Sequence, residues 1–185
     1  PRKRHMGTFN MKTHAGIVAT TLFATGAAWA LPKAGERAPD ATLEDVEGRT
    51  TSLSAFAGKA VVVVYEDKDS AALNKPLKEA LARLTKEAKY RDSTVVLPFA
   101  DVSSYDFWPA KGFARDAIRE EAKKIGTTIY CDWSGAFRQK LGIREGTSSV
   151  ILLGKDGRVL LTHEGAVPEG TRARFVEMIK AQIEG

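Results

Sequence analysis

A short polar segment that follows a run of valines holds the side chains best placed for chemistry. Glu66, Asp67, Asp69 and Ser70 lie between "AVVVVY" and a helical pattern. A serine at a helix N-terminus is a candidate nucleophile, but serine catalysis also needs a general base. Outside the first thirty residues the sole histidine is His163, in a distant predicted strand. We therefore interpret Ser70, or Asp69 beside it, as the N-cap of a helix.

The acidic side chains of the same segment raise the question of a bound cation. A calcium loop needs a glycine and a distal glutamate at fixed spacing, and the sequence around Asp67 and Asp69 supplies neither. One histidine and one cysteine are few ligands for zinc. We predict no metal and no cofactor, and we interpret the acids as charges that interact favourably with the first turn of a helix.

The sequence contains a single cysteine, Cys131, so an intramolecular disulfide and a CxxC redox pair are both excluded. Free cysteine is among the most buried residue types, and the neighbouring Asp132 would raise the pKa of the thiol rather than lower it. We expect a buried, unreactive side chain. The alternative is a single-thiol enzyme that acts through Cys131.

A loop rich in aromatic residues, "YDFWPAKGF", is the clearest candidate for contact with a partner. Phe107 and Trp108 are large side chains on a predicted loop, and such residues often anchor interfaces. The other interpretation is that the same rings fold back over the core.

The first thirty residues resemble an export signal. Residues 11–30 combine a lysine, a short apolar stretch of small residues and the ending Ala28-Trp29-Ala30. The stretch is short for a transmembrane helix, although a buried or anchoring helix is the alternative. We predict a secretory signal peptide at 11–30, preceded by upstream residues 1–10. The mature chain, 31–185, would then be a single periplasmic or secreted bacterial domain without a stable membrane span.

Removal of this leader also changes the charge of the protein. The whole chain has 28 Lys and Arg against 23 Asp and Glu, a net charge of +5. Four of the basic residues precede Leu31, which leaves 24 against 23. Because a nucleic-acid partner requires a persistent basic face, we exclude nucleic acid and expect a protein or peptide partner.

The elements that position these residues alternate between strand and helix. Residues 41–53 predict an N-terminal β-hairpin, and "KAVVVVY" predicts a central strand covered on both faces. A helix with an apolar stripe follows from Ser70, and then a strand that Pro98 marks as peripheral or bulged at its end. The stripe residues are Leu73, Leu77, Leu81, Leu84 and Ala88.

The second half of the chain continues the alternation. A helix with Phe113, Ile118 and Ile125 on its apolar face is predicted to end at Gly126. A short strand over 127–132, a helical turn, a hairpin around Asp156-Gly157 and a helix from Glu169 complete the chain. This order predicts an α/β fold with a mixed central sheet and helices on both faces.

Two segments carry a resemblance to a known group of proteins. "GERAPDATLEDVEGRTTSLSAFAGKAVVVVY" resembles the entry to peroxiredoxin-like and TlpA-like members of the thioredoxin superfamily, and "TSSVILLGKDGRVL" resembles their closing hairpin. The spacing of Ser70, Asn74, Leu77 and Glu79 is most similar to the YtfJ-like periplasmic branch. The resemblance implies a thioredoxin-like fold over nearly the whole mature chain.

The resemblance also shows what this chain lacks. It places the CxxC of the superfamily at Ser70 to Leu73 and its cis-proline near Ser148, and neither is present. We expect a redox-inactive binding module rather than an enzyme; the alternative is a thiol peroxidase or reductase acting through Cys131. The candidate binding residues are Asp67, Asp69, Ser70, Ser148, Phe107 and Trp108.

Overall fold

The computed structural model of the chain describes residues 30–185. Nearly all of the predicted signal peptide lies outside this range. The elements in chain order are β1 (Thr42–Glu44), β2 (Thr50–Ser52), β3 (Ala60–Glu66), α1 (Lys75–Leu84), α2 (Ala88–Ser93), β4 (Thr94–Asp101), α3 (Ala110–Ile125), β5 (Tyr130–Asp132), α4 (Ala136–Lys140), β6 (Ser149–Leu153), β7 (Val159–Glu164) and α5 (Glu169–Glu184). Short 3-10 helices cover Leu53–Phe56 and Ser103–Tyr105. No helix in 30–185 combines the length and apolar character needed to cross a bilayer.

A mixed five-stranded sheet forms the centre of the molecule, in the order β5-β4-β3-β6-β7. The strands β3, β4 and β5 are parallel, whereas β6 and β7 run antiparallel to their neighbours. Every residue of β3 is buried, as the run of β-branched residues predicts for a central strand. The predicted mixed sheet is therefore confirmed.

Both predicted hairpins are present. Strands β1 and β2 pair antiparallel in a separate two-stranded sheet, with Leu43 opposite Thr51. The closing hairpin joins β6 and β7 through a turn in which Gly157 has a φ of 76°, a conformation that favours glycine.

Apolar residues cover both faces of the central sheet. On one face Val62 and Val64 pack against the buried leucines of α1 and against Phe175 and Ile179 of α5. On the other face Val61, Val63 and Tyr65 pack against α4 and the N-terminal hairpin. This alternation along β3 follows from the two-residue period of a strand, and the predicted helices on both faces are confirmed.

The helix after β3 begins later than the sequence pattern predicts. Residues 68–74 form turns, and α1 starts at Lys75 with Asn74 as its N-cap, so the prediction of Ser70 or Asp69 as the cap is wrong. Proline is tolerated in the first turn of a helix, where its missing N–H would have no intrahelical acceptor, and Pro76 is the second residue of α1. Leu73, predicted on the buried stripe, is 46% exposed.

The next helix, α3, also differs from its predicted packing. Phe113 and Ile125 are exposed, while Ala114 and Ile118 pack inward against a small apolar cluster. The three- and four-residue spacing of apolar side chains allows more than one stripe here, and the predicted face is right for Ile118 and wrong for Phe113 and Ile125. The helix does end as predicted, with Gly126 in the left-handed conformation at a φ of 69°.

Strand β4 is an inner strand that pairs with β3 in unbroken register, so neither the predicted peripheral position nor the alternative of a bulged end is right. Pro98 pairs with Val64 of β3, and β5 pairs with β4 only from Phe99 onward. Pro98 therefore has β3 on one side and no strand on the other, which explains how the sheet accommodates it.

Candidate functional site

The candidate site lies at the edge of the sheet where β3, β4 and β5 end. Because parallel strands bring their carboxyl ends to one edge, the segments after Glu66, Asp101 and Asp132 all leave from it. The antiparallel strand β6 starts at the same edge, since Ser149 is opposite Tyr65. This topology brings Ser148 next to Glu66.

A buried ion pair occupies the end of β3. Glu66 is 8% exposed, and its carboxylate accepts a hydrogen bond of 2.7 Å from Nζ of Lys78 on α1. The same ammonium donates to the carbonyl oxygen of Ala71 at 2.6 Å, and the Ser148 hydroxyl donates to Glu66 at 3.4 Å. Burial raises the pKa of Glu66, while the bonds from Lys78 and Ser148 oppose that shift.

Asn74 connects this ion pair to the end of β7. Its side-chain amide donates to Oγ of Ser148 at 2.7 Å and to the carbonyl oxygen of Gly165 at 3.0 Å, and its Oδ1 accepts from the N–H of Val167 at 2.8 Å. Asn74 and Ser148 are each 1% exposed. We call Glu66, Lys78, Ser148 and Asn74 the edge network. It fills the interior of this edge and leaves these polar atoms bonded to one another.

Ser70 is a turn residue in front of the edge network. Its N–H and hydroxyl donate to Oδ1 of Asp67 at 2.7 and 2.6 Å, and its Oγ also accepts from the N–H of Asp67 at 3.0 Å. The ring of His163 bonds to the carbonyl oxygen of Ala166 instead. No hydrogen bond joins Ser70 to His163 in the described structure, so the geometry gives no support to a serine nucleophile.

A second buried network lies on the opposite face of the same edge. The hydroxyl of Tyr65 donates to Asp132 at 2.9 Å, and Asp132 also accepts from the N–H of Arg138 at 2.9 Å. Arg138 forms ion pairs with Asp101 and Glu145. Burial and the charges of Asp132 and Asp101 raise the pKa of Tyr65, so its hydroxyl stays protonated and remains a donor.

Cys131 lies in a separate apolar cluster with Val46, Val102 and Trp133. It is 4% exposed, and its pKa is raised to about 12, mainly by burial and further by the carboxylates of Glu44 and Asp45. The expected direction is right, but the charges responsible come from the N-terminal hairpin rather than from Asp132. The thiol is therefore protonated at neutral pH and is not part of the edge network.

A family profile described as Redoxin matches residues 33–179, most of the chain. The chain belongs to the redoxin family. Three solved redoxin-like folds are similar to it over most of their length, although each is at most 20% identical, so they establish the fold alone. No curated protein sequence matches the chain significantly.

These three structures come from different bacteria. A candidate protein disulfide isomerase from Bacteroides thetaiotaomicron is 20% identical, with a TM-score of 0.61 over 83% of this chain and 91% of that one. A thiol-disulfide oxidoreductase from Bacteroides fragilis is 19% identical, with a TM-score of 0.58 over 78% of this chain and 99% of that one. A thiol peroxidase from Chromobacterium violaceum is 12% identical, with a TM-score of 0.59 over 82% of this chain and 88% of that one. The predicted thioredoxin-like fold is confirmed.

In this redoxin the aromatic loop points its largest rings outward. Phe107, Trp108 and Phe113 are 61%, 91% and 73% exposed, and together we call them the aromatic surface. Tyr105, by contrast, packs partly against the cluster that contains Cys131. Phe107 and Trp108 therefore do not fold back over the core, which was one of the two interpretations of this loop. The loop leaves the same edge of the sheet as the segment 67–74.

The sequence predicted some residues of this redoxin edge and missed others. Ser148, Ser70 and Asp67 lie there as expected, but Ser148 and Ser70 are buried and Asp69 is exposed. The sequence ties Asn74 only to the family resemblance and gives Lys78 the pattern of a surface charge, so neither is predicted as a site residue. The bonds of Asn74 reach residues 74 to 93 positions away, and local spacing carries no signal for such contacts. Within 30–185, no group of three or more His, Cys, Asp or Glu side chains is arranged to hold a metal ion.

Proposed function

We propose that this protein is a redox-inactive redoxin that binds a protein or peptide partner. The observation that carries the proposal is the edge network. Where the resemblance places a dithiol and a cis-proline, the chain has Ser70 to Leu73 and Ser148, and the space behind them is filled by bonded polar side chains. An edge without a thiolate has no group to form a mixed disulfide.

The surroundings of Cys131 do not favour the competing proposal, a one-cysteine peroxidase or reductase. A thiol with a pKa of about 12 is ionised in roughly one molecule in 100,000 at pH 7. Catalytic cysteines lie in partly exposed, electropositive surroundings, whereas Cys131 is buried beside an acidic hairpin. The thiol fits a packing role, as a small apolar side chain does.

The surface of this protein that we assign to partner binding combines the aromatic surface with the exposed part of the segment 67–74. Phe107, Trp108 and Asp69 are accessible for direct contact. Asp67, Ser70 and Ser148 would act indirectly, since their hydrogen bonds hold the loop in place. Exposed aromatic side chains contribute large contact areas at interfaces.

The proposed location is the periplasm or the exterior of a bacterial cell. It rests on the signal peptide predicted at 11–30 and on the nearly balanced charge of the rest of the chain. The mature domain would then be 31–185, which contains the whole redoxin match.

Affinity capture from a periplasmic extract tests the binding role. The bait is the purified protein, and the matched control is the double variant Phe107→Ser, Trp108→Ser, which alters exposed positions only. We expect the wild type to retain a protein that the variant loses. Retention of the same proteins by both baits would contradict the proposed surface, and retention of none by either would contradict the binding role.

A further inference from the structure

We propose that the start of α3 binds an acidic peptide segment that also carries apolar side chains. This inference rests on the proposed function and names the chemistry of the partner. Four observations on α3 and its surroundings support it: exposed rings, an uncompensated cation, a helix N-terminus without acids, and buried N–H groups without acceptors.

The exposed rings define the apolar part of the ligand. Trp108 and Phe113 are the most exposed large apolar residues of the described structure, and Phe107 follows them. Contiguous exposed apolar patches on a protein surface mark interaction sites. A partner that covers these rings must offer apolar side chains of its own.

The charges of α3 define the polar part of the ligand. From Asp116 onward, three acids each pair with a basic residue three positions on. In the first half Lys111 pairs with Asp106, while Arg115 forms no ion pair among the described residues. The first turn of α3 also contains no acidic residue, so its N-terminal dipole is not offset there. The start of the helix is therefore complementary to negative charge.

Two N–H donors near these cations have no acceptor. Nε1 of Trp133 and Nε of Arg115 are buried without a hydrogen-bond partner in the part of the chain described, and Trp133 is 6% exposed. The Lys111 ammonium lies 4.9 Å from the centre of the Trp133 ring, and the Arg115 guanidinium carbon lies 5.7 Å from it. Buried donors normally have partners, so their absence here points to an acceptor supplied from outside.

A carboxylate can reach these donors if the side chains above them turn outward. Lys111 and Arg115 are long and flexible, and they can follow a carboxylate while uncovering the indole N–H. A peptide side chain can insert beside α3 in this way. A flat bilayer presents its phosphates in a plane and does not extend beneath a side chain, so an acidic peptide fits the site better than an anionic membrane.

Titration of the purified protein with short peptides tests this inference. The probe is a blocked decapeptide of alternating aspartate and leucine, and its controls replace every aspartate with asparagine or with lysine. Affinity is followed by NMR, using the indole N–H signal that the Trp133→Phe variant lacks. We expect the aspartate peptide to move this signal downfield and to bind at least about tenfold more tightly than either control. Equal affinities, or an unmoved signal, would overturn the inference.

Variants identify the residues responsible. Arg115→Gln and Trp108→Ala are each expected to weaken binding of the aspartate peptide by about tenfold or more. The matched control is Arg83→Gln, on the exposed face of α1, which should leave binding unchanged. Unchanged thermal melting of Arg115→Gln shows that its fold is intact, and an Arg83→Gln effect as large as that of Arg115→Gln would overturn the inference. So would binding to phosphatidylglycerol vesicles without binding to the peptide.

Failure of this inference can be told apart from failure of the proposed function. If capture recovers a partner that depends on Phe107 and Trp108, while aspartate and asparagine peptides bind equally, only the acidic chemistry is wrong. If capture shows no dependence on these rings, or if the protein turns over thiol substrates, the proposed function itself is wrong.

Discussion

At the scale of single residues, Glu66 shows how a buried charge is accommodated at this edge of the sheet. Its carboxylate is buried, and the charge is balanced by Lys78 and bonded to Ser148. Each of the four side chains of the edge network is hydrogen-bonded to a residue from another segment of the fold. Such a network specifies one arrangement of the edge, and removal of one partner should therefore lower stability rather than only alter the surface.

Replacing Lys78 with methionine should lower the free energy of unfolding by about 1–2 kcal/mol, because it leaves the buried Glu66 carboxylate without its cation. The effect is expected below that of a fully buried pair, since the Lys78 side chain is 36% exposed. Urea denaturation measures it. The matched control is Lys86→Met, at an exposed position near the end of α1. An equal effect of the two substitutions would mean that the ion pair does not stabilise the edge.

The raised pKa of Glu66 predicts a pH dependence with a defined sign. A carboxyl group with a higher pKa in the folded state binds its proton more tightly there, so its contribution to stability is largest at low pH. That contribution is lost as pH rises from the ordinary value of 4.5 through the folded value. The wild type should therefore lose stability relative to Glu66→Gln as pH rises above 4.5.

Denaturation at several pH values measures this difference, and Asp40→Asn provides a control of opposite sign. Hydrogen bonds from Ser54 lower the pKa of Asp40, so the stabilisation by that carboxylate should be lost as pH falls. If the stability of the wild type relative to Glu66→Gln stayed constant over the range, or rose with pH, the assigned pKa direction for Glu66 would be wrong.

At the scale of elements, the sequence predicted what depends on strong local patterns. The valine run of β3, the two hairpins and the C-terminal glycine of α3 all lie where expected. The start of α1 and the buried face of α3 differ from the prediction. The turns before Pro76, and the choice between competing apolar spacings in α3, depend on what each segment packs against. Periodicity gives the presence of a helix more reliably than its first residue or its contact face.

Two glycines, Gly112 inside α3 and Gly126 directly after it, provide a paired test of the assigned helix end. Gly126→Ala should lower the free energy of unfolding by about 1 kcal/mol, since the residue has a φ of 69° that alanine disfavours. Gly112→Ala, inside the helix, should raise it by up to about 1 kcal/mol. An added Cβ meets nothing within 4 Å at either position, so the contrast isolates backbone conformation. Thermal or urea denaturation measures both, and effects of the same sign would contradict the assigned helix end.

At the scale of the whole molecule, the fold can be predicted from the sequence, whereas the site can be predicted only in part. Alternating elements and the resemblance of two segments were sufficient for the redoxin fold, and the absence of a second cysteine is a matter of counting. The edge network was not accessible, because Asn74, Ser148 and Val167 meet only when β6 and β7 pair beside β3. A fold shared with thiol enzymes leaves function to be decided at this edge.

The central claim is that this redoxin has no working thiol, and turnover measures it most directly. Purified wild type and Cys131→Ser are assayed for thiol-disulfide reduction and for peroxide reduction, with a dithiol thioredoxin and a thiol peroxidase as positive controls. We predict no turnover above the buffer background in either protein, because Cys131 is buried and protonated. Turnover by the wild type that disappears in Cys131→Ser would contradict the account and make the protein a one-cysteine redox enzyme.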